Sequence, residues 1–200
     1  MIKRFVTYSV FMLSIVVRCA LAQTSAPLYH TEVGVFAENF RLGRISPALN
    51  MPGAGARITL FPQSWFNLEA EASYDFTQSF TSSWSNGFVT ANLTTHLRVA
   101  RGLGGVNFSK KFGKNMRLFA TVKAGTIDFN ASTVGIPQGF TNPLDPATTG
   151  GTDFLLYPGG GLQYFFVRWG LRLDAGDDMY FDHGHRYNNI RITFGPTFRF

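Results

Sequence analysis

The sequence predicts an all-β fold, an eight-stranded antiparallel up-and-down transmembrane β-barrel. Three observations lead to this prediction. Along several segments apolar and polar residues alternate with a period of two, which indicates strands that separate two environments. The connections between those segments are short and long in turn. No stretch is apolar over the roughly 20 residues that a transmembrane helix needs.

The first 22 residues resemble a cleavable export signal. Lys3 and Arg4 form a positive start, and Phe5–Val17 is a mostly apolar run of 13 residues. The small-x-small pattern that a signal peptidase accepts ends at Ala22. Cleavage is therefore predicted after Ala22, leaving residues 23–200 as one barrel domain. A short membrane anchor is the alternative, and the length of the run disfavours it.

The composition excludes several kinds of site. The single cysteine, Cys19, lies in the leader, so the mature chain has no disulfide framework and no thiolate metal site. Three of the 18 lysines and arginines also lie there, and the 15 that remain exceed the 12 acids too little to predict nucleic-acid binding. The 16% of aromatic residues, against 15% of charged ones, indicates an aromatic-rich chain that is prone to form strands.

The first three strands follow from alternation alone. In the first, Tyr29, Thr31, Val33, Val35 and Ala37 alternate with His30, Glu32, Gly34 and Glu38. In the second, Ala54, Ala56, Ile58 and Leu60 alternate with Gly55, Arg57 and Thr59. In the third, the alternation is unbroken from Phe66 to Phe76, with Asn67, Glu69, Glu71, Ser73 and Asp75 on the polar side.

The fourth segment, from Val89 to Phe112, changes phase. Its apolar residues are odd-numbered up to Val99 and even-numbered from Val106 onward. One inserted residue near Arg101–Gly102 would produce this shift, so a β-bulge is predicted there. A separate hairpin in this segment is the competing interpretation.

The last four strands complete the set. Leu118–Ala124 and Trp169–Ala175 alternate clearly, and Phe154–Phe166 does so weakly because Pro158 and three glycines interrupt it. The eighth strand is the clearest, with Ile190, Ile192, Phe194, Pro196, Phe198 and Phe200 on its apolar side.

Connection lengths support the topology independently. Three connections are short: Phe61–Trp65, Gly113–Asn115 and Val167–Arg168. Four are predicted as longer polar loops: Arg41–Met51, Thr77–Gly87, Ala131–Thr152 and Gly176–Tyr187. Short turns at one end and long loops at the other are typical of outer-membrane barrels. With the N-terminus in the periplasm, the long loops are expected outside the cell.

The polar faces carry six acids and six bases, which are predicted to fill the barrel. The interior of a small barrel is just wide enough for side chains, so opposite charges can pair there while the apolar face meets lipid. A soluble lipocalin-like barrel has the same alternation with its apolar face inward. The predicted interior network comprises Glu32, Glu38, Arg57, Glu69, Glu71, Asp75, Arg117, Lys123, Arg172, Asp174, Arg191 and Arg199.

The end of the chain favours the membrane barrel over the soluble one. Thr193 and Gly195 are followed by aromatic residues at alternate positions, Phe198 and Phe200. In this pattern the chain resembles the bacterial outer-membrane β-barrel proteins of the OmpA and OmpX type. The resemblance covers about residues 28–200, mostly by pattern.

The resemblance implies localisation in the cell outer membrane, surrounded by its lipid. It also implies that the barrel assembly machinery recognises Phe200, with periplasmic chaperones as further partners during biogenesis. The sequence departs from the family in two ways. Pro196 removes a ladder hydrogen bond, and no peptidoglycan-binding domain follows the barrel.

Aromatic residues cluster at the predicted periplasmic ends of the strands. They are Tyr29, Trp65, Phe66, Phe112, Phe166, Trp169 and Phe200. Because amphipathic rings prefer the membrane interface, they are expected to form a girdle there. Ordinary aromatic enrichment of strands is the alternative.

Catalytic or metal chemistry is not predicted. A lipid A acylhydrolase or acyltransferase needs a Ser, a His and an acid that converge. His183 and His185, with Asp177, Asp178 and Asp182 nearby, could form a weak metal site, but a solvated polar loop is far commoner. No cofactor follows from these residues.

The predicted function is therefore structural or surface-interacting, with a side-chain-filled interior and long extracellular loops. A narrow channel or apolar-ligand conduit of the OmpW type is the alternative, and a lipid A-modifying enzyme is less favoured. The sequence identifies no extracellular ligand.

Overall fold

A computed structural model describes residues 30–43, 48–85, 90–134 and 151–200. Eight antiparallel strands close into a barrel, in which each strand pairs with its neighbours along the chain and the last pairs with the first. This confirms the predicted fold class. The predicted signal peptide of residues 1–22 and its cleavage site lie outside the described residues.

The strands differ greatly in length. They are β1 (Thr31–Leu42), β2 (Leu49–Leu60), β3 (Phe66–Ser85), β4 (Thr90–Phe112), β5 (Met116–Val134), β6 (Gly151–Phe166), β7 (Trp169–Asp182) and β8 (His185–Arg199). The three predicted short connections join β2 to β3, β4 to β5 and β6 to β7. We call the end of the barrel that carries these three connections the turn end, and we call the opposite end the loop end. A strand of about 10 residues crosses a membrane, so β3, β4 and β5 extend well beyond it.

Alternation along each strand separates an apolar wall from a charged interior. Outward side chains such as Val35, Ile58 and Phe194 are exposed, whereas inward ones such as Glu69 and Arg191 are buried. Closure satisfies the backbone groups within the sheet, which a hydrocarbon environment demands. Among the described residues, no helix has the length and apolar character to cross a membrane.

The bulge predicted near Arg101–Gly102 is wrong. β4 is one continuous strand whose alternation is unbroken there, with Leu97, Val99, Arg101 and Leu103 all facing inward. Its pairing with β5 has no shift of register. The odd-numbered residues of β4 face inward on both sides of this point. The apolar residues change phase because the barrel interior is apolar toward the loop end and polar toward the turn end, where the apolar residues of β4 face outward. The competing interpretation, a separate hairpin, is also wrong.

The irregularity lies instead in β3. Asp75 pairs with Val99 and Gln78 with Leu97, so two residues of β3, Phe76 and Thr77, face one of β4. Such a bulge reverses the alternation beyond it. Phe80 accordingly packs inward although it has the same parity as the outward Phe76.

Two of the predicted long loops are mostly strand. β3 continues through Thr77–Gly87 as far as Ser85, and Gly176–Tyr187 forms the end of β7, a two-residue turn and the start of β8. Strands that leave the membrane meet water on their outer face, so the apolar half of their alternation is lost and the sequence resembles a loop. The turn residues His183 and Gly184 both have positive φ, 47° and 83°, as a tight hairpin requires.

Candidate functional site

The candidate site is the barrel interior, which is built in two layers. A charged layer occupies the part nearer the turn end, and an apolar layer occupies the part nearer the loop end. The apolar layer consists of Phe40, Leu42, Met51, Leu97, Val99, Leu103, Ile127, Phe129, Leu155, Tyr157 and Tyr180. Sequence reasoning missed this layer because it assigned every apolar side chain to the wall.

All twelve charged residues of the predicted network lie in the interior. Eleven of them are buried, and Arg199, near the turn end, is partly so. They come from six of the eight strands, so only closure of the barrel brings them together. The structure adds two members that the prediction omitted, Arg101 of β4 and Asp178 of β7, which are 5% and 0% exposed.

The centre of the charged layer joins four strands. Arg172 donates to both carboxylate oxygens of Glu69, at 2.5 and 3.0 Å, and to Asp174 at 2.9 Å. The Lys123 ammonium lies 2.6 Å from Glu69 and 2.6 Å from Glu71. Arg57 donates to Asp174 at 3.2 Å. Charge-assisted bonds of this kind compensate for the loss of hydration, which would otherwise make burial of these groups costly.

Closer to the loop end, two arginines contact four carboxylates. Arg101 donates to Glu38 at 2.9 Å and to Asp75, and it lies 3.1 Å from Asp178. Arg191 donates to Glu71 at 2.6 Å and to Glu38 at 3.4 Å. Uninterrupted alternation along β4 and β7 would have placed Arg101 and Asp178 on the inward face. The predicted bulge and the predicted loop obscured both.

Near the turn end, Arg199 donates to Glu32 at 3.2 Å, and Gln163 donates to the same carboxylate. The Arg117 guanidinium lies 4.9 Å from the ring centre of Phe61 and 5.6 Å from that of Phe165. The charged layer therefore continues to the turn end of the barrel.

Aromatic rings separate the cations from the wall. The guanidinium of Arg57 lies 4.3 Å over Phe36, that of Arg172 lies 4.1 Å over Phe119, and that of Arg191 lies 4.3 Å over Tyr157. Cation–π contacts are strongest where water is excluded, as it is here.

Inward glycines make room for these rings. Gly161 faces Phe119 across the β5–β6 pair, and a Cβ on Gly161 would lie 2.7 Å from the ring. Gly55 stands in the same relation to Phe36 across the β1–β2 pair. A ring laid over a strand glycine replaces the missing side chain. The resulting unit is a stack of glycine, ring and cation.

The apolar layer closes the interior toward the loop end. The rings of Phe129 and Tyr180 are 5.1 Å apart, and Tyr180 stacks on Tyr187 at 5.1 Å. Phe40, Met51 and Tyr180 are fully buried. Both layers thus exclude solvent, and the interior is filled by side chains.

The four residues of the predicted assembly signal lie on both faces of β8. Thr193 is buried and accepts a hydrogen bond from Arg57 at 2.9 Å. Gly195 faces inward against the backbone of β1, where a Cβ would collide with the carbonyl oxygen of Val35. Phe198 and Phe200 lie on the outer wall, with their ring centres 5.9 Å apart.

Pro196 leaves a gap in the ladder that closes the barrel. Thr31 and Phe200 exchange both of their backbone hydrogen bonds, at 3.1 and 3.0 Å. Counting inward from this pair places Pro196 opposite Val35 at another hydrogen-bonded position. Proline has no N–H to donate, and the β1–β8 pairing is interrupted between Gly34 and Ala37.

Most of the predicted girdle residues lie at the turn end. Phe112, Phe166, Trp169 and Phe200 are exposed there, and Trp65 stacks on Phe108 with ring centres 6.1 Å apart. Phe66 packs against the same ring at 5.7 Å. Tyr29 lies outside the described residues.

The structure brings one serine and one histidine together. Ser79 Oγ lies 2.6 Å from Nδ1 of His96 on the exposed face of the β3–β4 pair beyond the bulge. Within the described part of the chain, this pair has no carboxylate partner. His183, in the β7–β8 turn, pairs with Asp182. The described residues contain no group of three or more His, Cys, Asp or Glu placed to hold a metal ion.

Several solved structures share this fold. The neisserial surface protein A matches with a TM-score of 0.53 and 8% identity, over 88% of this chain and 99% of that one. The attachment invasion locus protein Ail of Yersinia pestis, in complex with the heparin analogue sucrose octasulfate, matches with a TM-score of 0.50 and 13% identity, over 86% and 97%. OprG of Pseudomonas aeruginosa matches with a TM-score of 0.50 and 9% identity, over 88% and 98%. No protein-family model and no curated protein sequence matches the chain.

The closed eight-stranded barrel and its apolar wall, together with these likenesses, define the class as a small outer-membrane β-barrel protein of the cell outer membrane. This confirms the fold and the location that the resemblance to OmpA- and OmpX-type barrels implied. Within that class, the chain is a barrel whose interior is filled by paired charges toward the turn end and by apolar side chains toward the loop end.

Proposed function

We propose that this protein is a closed, non-enzymatic barrel with a structural or surface-interaction role. The observation that carries the proposal is the filled interior. Charged side chains pair across it in one layer, and buried apolar side chains block it in the next. A barrel of this kind offers ions no continuous aqueous path.

The surface to which we assign this role is the loop end. With short turns in the periplasm, as in bacterial outer-membrane barrels, the extensions of β3, β4 and β5 project outside the cell. Ail and neisserial surface protein A share the fold at low identity, which supports the class of protein and no particular ligand.

Biogenesis supplies the other partners in the proposal. Phe200 ends β8 on the lipid-facing wall beside Phe198, where the barrel assembly machinery would meet it after periplasmic chaperones release the chain. Lipid of the outer membrane surrounds the folded barrel.

Single-channel recording in planar bilayers tests the closed interior. The wild-type protein is expected to give little or no steady conductance. Replacing Phe129 and Tyr180 with alanine, which removes two rings from the apolar layer, should raise conductance. The matched control replaces Phe154 and Phe181, whose rings pair at 6.0 Å on the outer wall, and should change nothing.

Large, stable currents through the wild-type protein would contradict the proposal and favour the narrow channel. The non-enzymatic part rests on the incomplete Ser79–His96 pair. Release of acyl chains from lipid A by the purified protein would contradict it.

A further inference from the structure

Four cationic side chains lie together at the turn end, and we call them the basic rim. They are Lys110, Lys111, Lys114 and Arg168, all exposed. Lys114 belongs to the β4–β5 turn and Arg168 to the β6–β7 turn. The two turns are neighbours, because the Phe165 N–H donates to the carbonyl oxygen of Asn115 at 2.9 Å. The charges therefore form one surface.

No acidic side chain offsets the basic rim on the outer surface of the described turn end. Glu32, the acidic side chain nearest this end, is buried and paired with Arg199. The exposed acid Asp128 lies at the loop end, where β5 pairs with the start of β6. The outer surface at the turn end is consequently cationic.

Exposed apolar side chains interleave with these cations. Phe112 is 67% exposed, Trp169 60% and Val167 84%. Val167 also has a φ of 58°, a left-handed conformation that a β-branched residue adopts only with strain. Folding alone does not favour an exposed valine in a strained turn. At a membrane surface, however, its apolar side chain is removed from water.

We propose that the basic rim binds the headgroups of anionic phospholipids. Its cations stand where the apolar wall meets water, so their aliphatic stems can lie along lipid while their charges reach the phosphates. A tryptophan beside them is typical of that interface. Each lysine or arginine near an anionic membrane surface contributes about 1 kcal/mol, which corresponds to about a fivefold preference for an anionic headgroup.

Tryptophan fluorescence can measure this preference directly. Of the three tryptophans, Trp65 and Trp169 lie at the turn end, and Trp84 lies one residue from the loop end of β3. A Trp84→Phe protein therefore reports only on the turn end. Reconstituted in mixtures of phosphatidylcholine and phosphatidylglycerol, with one or the other brominated on its chains, it gives the relative association of the two lipids.

Brominated phosphatidylglycerol is expected to quench as though it were enriched severalfold around the turn end. Replacing Lys110, Lys114 and Arg168 with glutamine should bring the ratio of association close to one. A matched triple change of exposed cations elsewhere, Arg41, Arg98 and Arg186 to glutamine, should leave the ratio unchanged. Heat-dependent electrophoretic mobility verifies that each variant is folded.

Two results would overturn the proposal. One is a ratio of lipid association near one for the Trp84→Phe protein with its basic rim intact, which would mean that the basic rim does not bind anionic lipid and would favour a protein or cell-wall partner. The other is a preference that survives the loss of the three cations.

Discussion

Four interior arginines meet a carboxylate on one side and a ring on another: Arg57, Arg101, Arg172 and Arg191. Arg57 shows the arrangement fully. It donates to Asp174 and Thr193, at 3.2 and 2.9 Å, and lies over Phe36. Its partners come from β7, β8 and β1, so one side chain connects strands that are distant along the chain.

Arg57→Ala should destabilise the barrel strongly. Removing one partner of a buried ion pair leaves an uncompensated charge, at a cost of about 3–5 kcal/mol. Arg186, which is exposed, provides the control, and its replacement with alanine should cost less than about 1 kcal/mol. Thermal unfolding in detergent micelles compares the two variants. Equal midpoints would mean that the interior charges do not stabilise the barrel.

Gly161→Ala tests the glycine, ring and cation stack. The added methyl would meet the ring of Phe119 at 2.7 Å and the backbone of β7, so overpacking should cost roughly 1–3 kcal/mol. Gly102 is also a strand glycine, but nothing lies within 4 Å of a Cβ there. Gly102→Ala should therefore be nearly neutral. The two free energies of unfolding, measured in urea, distinguish a packing requirement from a general effect of glycine.

At this scale the sequence allowed charged residues to be placed, but not apolar ones. A charged side chain on the membrane-spanning part of a strand faces the interior, because the other face meets lipid. Alternation was therefore sufficient to place residues such as Glu69 and Arg172 inside the barrel. An apolar side chain is compatible with either face. Leu97 and Tyr180 therefore carried no signal that separated wall from interior.

The same ambiguity explains the errors made over whole elements. Alternation identified the membrane-spanning part of each strand, since there the two faces meet lipid and charge. Beyond the membrane both faces become polar, and the extension of β3 to Ser85 resembled a loop. The turn at His183 was hidden because a His-Gly pair stands where Asn-Gly or Asp-Gly usually marks a tight hairpin.

The connection between β5 and β6 offers a test of orientation. An epitope inserted between Thr141 and Asn142 should be tolerated, because it interrupts neither strand. Antibody should label it on intact cells if the loop end faces outward. The control epitope, in the β4–β5 turn between Lys114 and Asn115, should be labelled only after permeabilisation. The opposite pattern would invert the topology.

For the molecule as a whole, we predict that Phe200 contributes to an assembly signal in β8. Phe200 exchanges two backbone hydrogen bonds with Thr31, at 3.0 and 3.1 Å, and so begins the pairing that closes the barrel. Deleting Phe200 should leave protease-sensitive chain in the periplasm and reduce the outer-membrane fraction.

Phe194, another exposed phenylalanine of β8, provides the matched control. Phe194→Ala removes lipid-facing area without changing the end of the chain, and it should assemble normally. Normal assembly without Phe200, or an equal defect in both variants, would count against an assembly signal at the last residue.

Closure also decides how the barrel comes apart. A ring of eight strand pairs opens as soon as one pair separates, so its resistance is that of its weakest edge rather than the average. The gap at Pro196 lies on the edge where β1 meets β8. Separation of β1 from β8 at this point breaks one fewer backbone hydrogen bond, and no connecting loop holds these two strands together. Amide exchange should accordingly be faster for Val35 than for residues in the middle of β5, and uniform protection around the ring would show that the charged layer clamps the edge from within.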